Sequence, residues 1–457
     1  MKLKRVIIKN YKNLKDVEIN FPDSNIIAFI GNNGSGKSNI LENIAHTFSV
    51  AKDFNNRNDI DYTFDYIYQI DSNEYRIEDD GVHFLYYKNN AREIKNIGNG
   101  LPKVIFTYYA GETGRLNSYS EYFQKSYDDY LKFKRDDNID LKFVTSFSLK
   151  DFPIAFFANY VFQTAVLDKI KNLLGFSSIE EHRILMHFKK PYWSSADGSG
   201  ENVWGARGFN KFFFDKLLEE DEEYGVGPFI EFDSGEDYIT LAVGHSDLFR
   251  NLAETPLELY TKLKAMLDSG FLETIRIFVR KNGEMFHLEL FSEGEKQLAN
   301  LLMLMDLTKE FKALFLLDEF DAYLHPNWQR EFIKLISEIN IRGQVLLTTH
   351  SPLTLNKINK ENIRILKDGE IYSLTVDSFN RDVVQILEEI MEVPKRPKEV
   401  EDAIKQFRNA VMHNQKDKAD GDRKIFQTGL DEASESLWEN LKKRENLKDS
   451  NVLKNKI

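Results

Sequence analysis

The stretch NIIAFIGNNGSGKSNILENIAHTF, residues 25–48, decides the fold class of this chain. A short apolar run leads into a glycine-rich loop, and the loop opens into a segment with the apolar periodicity of a helix. Gly31, Gly36, Lys37 and Ser38 fill the pattern G-x-x-x-x-G-K-[ST]. In such a loop, backbone N–H groups turn towards phosphate oxygens, the lysine reaches the β- and γ-phosphates, and the hydroxyl coordinates Mg²⁺. The sequence therefore predicts a strand–loop–helix site for a nucleoside triphosphate and Mg²⁺.

The predicted nucleotide contacts cover this whole loop, which we call the P-loop. They are Asn32, Asn33, Gly34, Ser35, Gly36, Lys37, Ser38 and Asn39. Upstream, the alternation of Val6 and Ile8 with polar residues predicts two strands joined by a turn at residues 12–14. Tyr11 or Lys12 is a candidate neighbour of the base, and an ordinary solvated turn fits the same pattern equally well.

Two carboxylates follow a second apolar run. In KALFLLDEFDAYLHPNWQ, residues 312–329, the run 313–317 suits a strand buried on both faces of a parallel sheet, and it ends in Asp318 and Glu319. An aspartate in this place can hold the Mg²⁺ shell, and the adjacent carboxylate can orient or deprotonate an attacking water. Taken alone, the pair is equally consistent with a helix cap.

A third apolar run ends in a histidine. The segment GQVLLTTHSPL, residues 343–353, predicts a buried strand that ends in His350. Because the carboxyl ends of parallel strands meet at one edge of a sheet, we expect His350 near the γ-phosphate, although a turn histidine is the ordinary alternative. The order of these motifs along the chain favours a catalytic site over the ordinary structural alternatives. We therefore predict Lys37, Glu319 and His350 as catalytic residues, and Ser38 and Asp318 as metal ligands.

The stretch FSEGEKQLANLLMLMDL, residues 291–307, places a polar cluster at the start of an apolar helix. The N-terminus of a helix exposes backbone N–H groups and partial positive charge, so the segment that begins at Ser292 can hold an anion. It also fits an ordinary capped helix. A hairpin with an Asn282–Gly283 turn precedes it.

The order P-loop, hairpin, S-x-G-E helix, Asp-Glu strand and His strand resembles that of the ABC superfamily of ATPases, in the branch with SMC, RecF and OLD proteins. FSEGEKQ is similar to their L-S-G-G-Q signature. The resemblance implies that Ser292, Gly294 and Glu295 bind the γ-phosphate of ATP held by a second copy of the chain, with Asp321 at the D-loop position. Glu293 stands where many members have glycine or serine, which implies a weaker or differently shaped contact. The resemblance also implies that Gln69, in the alternating stretch 61–88, is a metal ligand near the magnesium, and a surface strand position is the alternative.

The predicted fold class is α/β: an ABC-type P-loop ATPase head with an inserted, mostly helical subdomain and a helical C-terminal tail. The segment between the two halves of the head lacks the sustained heptads of an SMC coiled coil and is rich in Phe and Tyr. The predicted domains are an N-terminal lobe with P-loop and β-meander (1–115), the insert (116–270), a C-terminal lobe (271–376) and a tail (377–457). The tail fits either a docking or oligomerisation element or a solvated helix pair.

Landmarks along the chain, among them LPKVIFTYYAGETGRL, KKPYW and LDEFDAYLHPNW, resemble the bacterial restriction-system-associated ATPases. Septu PtuA is similar to these, and PARIS AriA is a more distant comparison. The resemblance implies anti-phage defence, assembly into dimers or dimer-based rings, a phage-derived trigger, and a separately encoded effector, a nuclease or toxin. We expect hydrolysis of ATP to ADP and phosphate and no nuclease site in the chain itself.

Composition limits the alternatives. The chain has 457 residues, no cysteine and a formal net charge of −12. The lack of cysteine removes thiolate metal sites and cysteine nucleophiles, and with no apolar run long enough to span a bilayer it favours a cytoplasmic protein without a membrane role. A RecF- or SMC-like DNA repair clamp is the alternative function, but it needs a basic surface, so the acidic balance makes direct DNA binding secondary.

Overall fold

The chain is described from a computed structural model that covers residues 1–53, 61–92, 100–110, 114–136, 138–180, 183–191, 194, 203–223, 231–232, 237–243, 245–375, 377–391, 402 and 404–409. Two compact units are present, Met1–Arg381 and Asp382–Ile457.

The strands of the first unit, in chain order, are β1 Lys2–Tyr11, β2 Leu14–Asn20, β3 Ile26–Gly31, β4 Thr63–Ile70, β5 Asn73–Asp79, β6 Phe84–Lys88, β7 Ala91–Arg92, β8 Ile105–Tyr109, β9 Val144–Ser146, β10 Ser178–Ile179, β11 Ile184–Lys189, β12 Glu231–Phe232, β13 Tyr238–Val243, β14 Leu272–Arg276, β15 Phe278–Lys281, β16 Glu284–His287, β17 Leu314–Asp318, β18 Gln344–Thr348, β19 Ile363–Lys367 and β20 Glu370–Ser373.

Its α-helices are α1 Lys37–Lys52, α2 Asn117–Tyr122, α3 Gln124–Phe133, α4 Phe152–Val161, α5 Ala165–Leu174, α6 Gly208–Glu223, α7 Leu248–Leu252, α8 Pro256–Asp268, α9 Glu293–Leu307, α10 Pro326–Ile339 and α11 Pro352–Leu355.

A central sheet runs through the first unit and positions the site. Within the described residues it has seven strands in the order β20-β19-β3-β18-β17-β8-β9, all parallel except the edge pair β19–β20. Every residue of β17 and of β18 is buried, as the continuous apolar runs predict for strands covered on both faces. The carboxyl ends of β3, β17 and β18 therefore meet at one edge of the sheet, and the α/β fold class is confirmed.

A six-stranded antiparallel sheet, in the order β2-β1-β4-β5-β6-β7, forms the second layer of the N-terminal part. Its residues alternate between buried and partly exposed positions along β4, which gives one apolar face. That face packs on α1: the ring of Phe48 lies 5.2 Å from that of Tyr68. The same apolar cluster includes β3 and β17 residues, so α1 is held between the two sheets' apolar faces.

The segment predicted as a helical insert contains helices α2 to α8 and, in addition, strands that the sequence analysis did not predict. Strands β12, β13 and β11 form an antiparallel sheet with β14, and β9 adds a strand to the central sheet. The pattern was hard to recognise because β11 is only six residues long and lies among Phe-rich segments. Its Phe188 packs against Phe214 and Phe271, with ring centroids 5.0 and 5.9 Å away.

Four charged side chains connect α8 to the segment before α4 in the interior. The Lys264 ammonium lies 2.7 Å from Asp151 and 2.8 Å from Asp268, and Lys142 lies 2.9 Å from Asp268. All four are buried or nearly so. We call these residues the buried ion cluster. Each charge in it has an opposite partner, which is the condition for burying it at tolerable cost.

The second unit contains a short α-helix, Val383–Gln385, a π-helical turn, Ile386–Ile390, and helical residues 404–409. Most of the predicted tail, 377–457, lies outside the described residues. The four-part domain division stays a prediction. Within the part of the chain that the structure describes, no helix is long and apolar enough to cross a membrane.

Candidate nucleotide site

The P-loop connects β3 to α1 in the conformation that its glycines allow. Gly36, the residue before α1, has φ +112°, and a Cβ there would lie 2.8 Å from the Leu14 side chain. The Lys37 ammonium folds back over the loop and donates to the carbonyl oxygens of Gly31, at 3.0 Å, and Asn32, at 3.2 Å. The lysine therefore lies across the concave side of the loop, where phosphate oxygens would be held.

Lys37 also lies in the field of the two predicted carboxylates. Burial lowers the pKa of Lys37, while the charges of Asp318 and Glu319 act in the opposite direction. This electrostatic contact means that the P-loop and the end of β17 form one site. Their separation in sequence is bridged by β18, which pairs with both β3 and β17.

Asp318 offers an oxygen that a metal ion fits. Its Oδ1 accepts a 2.5 Å hydrogen bond from the Thr348 hydroxyl, and its buried Oδ2 has no hydrogen-bond partner among the described residues. Burial raises the pKa of Asp318, and the hydroxyls of Thr348 and Ser38 lower it. A carboxylate oxygen beside a hydroxyl is the hard ligand set that Mg²⁺ prefers. Ser38 and Asp318 thus fit a magnesium ion.

Glu319 is held in a strained backbone conformation. Its φ is +51°, in the left-handed region that a glutamate seldom adopts, and its backbone N–H donates to the Thr348 hydroxyl at 2.8 Å. Thr348 thus bonds to both residues of the acidic pair. Strain of this kind persists where surrounding structure enforces it, and it is concentrated at functional sites.

His350 follows β18 at the same edge of the sheet. The residue as a whole is exposed, although the imidazole is partly buried. Partial burial and then the charge of Lys37 lower the pKa of His350, while Asp318 acts in the opposite direction. A pKa below the ordinary value leaves the imidazole mostly neutral at pH 7, able to donate or accept one hydrogen bond.

The start of α9 carries a capping box. The Ser292 backbone N–H and hydroxyl both donate to Glu295 Oε2 at 2.8 Å, and the Glu295 N–H donates to the Ser292 hydroxyl at 3.3 Å. Ser292 and Glu293 are exposed, whereas Gly294 is buried. A Cβ on Gly294 would lie 2.5 Å from the carbonyl oxygen of Tyr323. The capping box does not test the anion site, so the contact with a second copy stays a prediction.

The structure does not bring Gln69 to the P-loop. Gln69 pairs with Lys2 at the beginning of β1, and its side chain donates to the carbonyl oxygen of Asp71. The P-loop instead meets the other end of β1, a distance of about 30 Å for a strand of this length. The prediction of Gln69 as a magnesium ligand is therefore corrected: Gln69 lies near the end of β4 that is remote from the P-loop.

The Asp321 side chain is buried in the fold and does not project from an exposed D-loop. Its side chain is 4% exposed, and its Oδ2 accepts hydrogen bonds from the hydroxyls of Thr349 and, at 2.7 Å, Thr354. Nothing in this arrangement presents the carboxylate to a nucleotide. The predicted nucleotide contact of Asp321 is corrected accordingly, because the acidic segment turns inward directly after Glu319.

Two site residues were missed by the sequence analysis. Thr348 bonds to both acidic residues, as described above. Asn13, in the turn between β1 and β2, donates to the carbonyl oxygen of Gly34 at 2.8 Å and accepts from the Asn39 side chain at 2.6 Å. The signals were a polar Thr-Thr pair ending an apolar strand, and an Asn in a turn considered only for Tyr11 and Lys12. Lys12 in fact pairs with the buried Glu42, and Tyr11 packs on Tyr62.

Together these residues form a cradle with one cation, two carboxylates and a neutral imidazole at a single sheet edge. The family described as "AAA domain, putative AbiEii toxin, Type IV TA system" matches residues 26–356, from the start of β3 to the residue after α11.

Individual relatives are more distant. The "Retron Vc95 probable ATPase" of Vibrio cholerae serotype O1 biovar El Tor is 22% identical over 470 residues, which cover 91% of this chain and 85% of that protein. The "Septu protein PtuA" of Bacillus thuringiensis is 28% identical over 120 residues, 24% of this chain and 30% of that protein. Among solved structures, the SMC head domain from Thermotoga maritima matches with a TM-score of 0.36 at 16% identity, over 82% of this chain and 100% of that one.

Proposed function

This chain belongs to the family described as "AAA domain, putative AbiEii toxin, Type IV TA system", and from that premise we propose that it binds ATP with Mg²⁺, hydrolyses it, and uses the cycle to control a separate effector in defence against phage. The observation that carries the proposal is the meeting of Lys37, Asp318, Glu319 and His350 at one edge of the parallel sheet.

In the proposed reaction, each residue has one task. Lys37 and the P-loop N–H groups neutralise and position the β- and γ-phosphates, and Ser38 and Asp318 would hold the metal. When bound, Mg²⁺ reduces the negative charge that develops on the transferred phosphoryl group. Glu319 orients the attacking water and takes its proton as the oxygen bonds to the γ-phosphorus, while the bond to the ADP oxygen breaks. His350 donates to a γ-phosphate oxygen.

We further propose that the site is completed by a second copy of the chain. Ser292 and Glu293 are exposed at the start of α9, and a helix N-terminus favours an anion. Ser292, Gly294 and Glu295 would then contact the γ-phosphate of ATP held by Lys37 of the other protomer. Glu293 adds a negative charge beside this contact and so weakens it. The assembly we propose is a dimer or a dimer-based ring that dissociates after hydrolysis.

The identity of the effector is the least specific part of the proposal. Two similar proteins carry the names of a retron ATPase and of Septu, and these names support a place in bacterial defence. We propose a separately encoded nuclease or toxin as the partner in the cytoplasm and a phage-derived component as the trigger. Direct binding of duplex DNA, as in a RecF- or SMC-like clamp, is the rival outcome.

Three substitutions test the ATPase part. We expect Lys37→Ala to abolish ATP binding in calorimetric titration, because the phosphates lose their cation. Glu319→Gln should bind ATP, release no phosphate, and accumulate an ATP-dependent oligomer on size-exclusion chromatography with light scattering. Ser292→Arg should bind ATP and fail to hydrolyse it. Unchanged ATP affinity in Lys37→Ala, or full turnover in Glu319→Gln, would contradict the assigned roles.

The effector part is tested by affinity capture. Tagged Glu319→Gln is expressed in the native host, isolated with ATP and Mg²⁺, and analysed for proteins and DNA together, with Lys37→Ala as the matched control. A stoichiometric nuclease or toxin present only with Glu319→Gln supports the defence proposal. Long DNA without a protein partner would favour the clamp.

A further inference from the structure

Two segments at the edge of the sheet are joined by buried side-chain hydrogen bonds. We call residues 318–324, which follow β17, the acidic loop, and residues 348–354, which follow β18, the switch segment. Thr348 donates to Asp318 and accepts from the Glu319 N–H. Asp321 accepts from Thr349 and Thr354. Each bond runs from one segment to the other.

Asp321 is the centre of this arrangement. It is 4% exposed, and a single carboxylate oxygen receives both threonine hydroxyls. Burial raises the pKa of Asp321, and the two hydroxyls lower it. A buried carboxylate with two donors of fixed direction has little freedom to move, and its donors have none of the water contacts that would let them turn away.

A second connection fixes the other side of His350. Gln329, in α10, donates to the carbonyl oxygens of Asp321, at 2.9 Å, and Leu324, at 3.1 Å. Its Oε1 accepts from the Ser351 hydroxyl at 2.7 Å. Both neighbours of His350, Thr349 and Ser351, are therefore bonded to groups that also hold the acidic loop.

The acidic loop also supports the start of α9. Gln297 of that helix donates to the carbonyl oxygen of Phe320, and Gly294 lies so close to Tyr323 that a Cβ would meet its carbonyl oxygen at 2.5 Å. A shift of the helix start therefore displaces the loop that carries Glu319 and Asp321. Through the threonines it displaces the segment that carries His350.

We propose that Asp321 is a positioning residue, not a nucleotide ligand. It fixes the acidic loop relative to the switch segment, so that Glu319 and His350 face the same γ-phosphate. Both segments then move together with the start of α9. The inference rests on the proposed ATPase function and adds to it the residue that connects the three catalytic segments.

The test measures the Kd for ATP and the kcat of hydrolysis separately in each variant. Asp321→Ala should leave the Kd for ATP unchanged and lower kcat by about 10- to 100-fold, because a displacement of about 1 Å at reacting groups has an effect of that order. Asp321→Asn keeps one carbonyl oxygen as acceptor and should recover part of kcat. Asp306→Ala is the control, since this carboxylate lies on α9 and pairs with Lys309 at 3.0 Å.

Thr349→Val and Thr354→Val provide a second route if Asp321→Ala does not fold. Each removes one donor to Asp321 and preserves side-chain shape. We expect each to lower kcat at unchanged Kd, and the double variant to resemble Asp321→Ala. Combining Thr349→Val with Asp321→Asn should give a smaller loss than the product of the single losses, since both act on one bond.

The outcomes separate this inference from the proposed function. If the wild type hydrolyses ATP, Lys37→Ala does not, and the Asp321 and threonine variants turn over at the wild-type rate, the inference fails and the ATPase stands. If Asp321→Ala loses ATP affinity in parallel with kcat, and Asp321→Asn loses as much, then Asp321 is a ligand and the inference is wrong. If the wild type and Lys37→Ala are equally inactive, the proposed function itself fails.

Discussion

The side-chain amide of Asn13 donates a 2.8 Å hydrogen bond to the carbonyl oxygen of Gly34, so a turn of the antiparallel sheet holds the outer side of the P-loop. The amide of Asn39, at the start of α1, donates in turn to Asn13 Oδ1 at 2.6 Å. Asn13 therefore connects the middle of the loop to the helix that follows it. The loop is held from outside by Asn13 and from inside by Lys37.

We expect Asn13→Ala to weaken ATP binding. Losing these two hydrogen bonds, each contributing about 0.5–1.5 kcal/mol, lets the empty loop sample other conformations and should raise the Kd by about 3- to 10-fold. Calorimetric titration with ATP measures this. Asn25→Ala is the matched control, because its amide also donates to a backbone carbonyl, that of Ile341, but at the opposite end of β3. An equal rise of the Kd in both variants would show that Asn13 affects ATP binding only through the stability of the whole fold.

We expect Gly294→Ala to disturb the contact between the start of α9 and the acidic loop. The added methyl group would meet the carbonyl oxygen of Tyr323 at 2.5 Å, so either α9 or the loop must move. We expect ATP affinity to be retained and phosphate release to fall by at least about 10-fold, since catalytic groups lose their alignment. Asp306→Ala, near the other end of α9, is the control, because this side chain pairs with Lys309 at 3.0 Å. A similar loss in that variant would contradict the explanation.

The buried ion cluster predicts a strong effect on stability. In Lys264→Met the carboxylates of Asp151, fully buried, and Asp268 lose the cation between them, and we expect the free energy of unfolding to fall by about 3–5 kcal/mol. Urea denaturation measures the change. Lys169→Met provides the comparison. Its ion pair with Glu338 is about half exposed, so its loss should lower the free energy of unfolding much less. Equal effects would mean that the cluster is no stronger than a surface pair.

The same cluster predicts acid sensitivity. Burial alone would raise the pKa of Asp268, but Lys264 and Lys142 more than offset it, and the pKa lies below its ordinary 3.8. A carboxyl group with a lowered folded-state pKa stabilises the fold above its unfolded-state pKa, and the contribution disappears as pH falls through the folded-state pKa. As pH falls below about 4, wild-type stability should thus fall more steeply than that of Asp268→Asn. Parallel pH profiles would contradict this assignment.

The nucleotide edge of the parallel sheet could be predicted because its signals are local. Lys37, Asp318 and His350 each follow a short apolar run, and parallel pairing of such runs brings their ends together whatever lies between them. The family match over residues 26–356 confirms that the chain contains an AAA domain.

The remaining features depend on contacts between distant segments. Gln69 and Asp321 were assigned by position in a motif, and only the register of β1 with β4 and the inward turn after Glu319 show where their side chains lie. Thr348 and Asn13 have partners that no spacing rule identifies. The sheet formed by β11, β13 and β14 pairs a segment near residue 186 with one near residue 275, beyond the reach of periodicity.

The order of strands in the central sheet has a consequence for synthesis on the ribosome. Strand β3 ends at Gly31, and both of its neighbours are made much later: β18 begins at Gln344 and β19 at Ile363. At a translation rate of about 5–20 residues per second, β3 waits roughly 15–60 s for its first partner. Throughout that time the apolar strand next to the P-loop lacks both of its sheet neighbours, and exposed apolar surface of this kind is what makes a partly folded chain prone to aggregate. A chain released before residue 344 leaves β3 with neither neighbour.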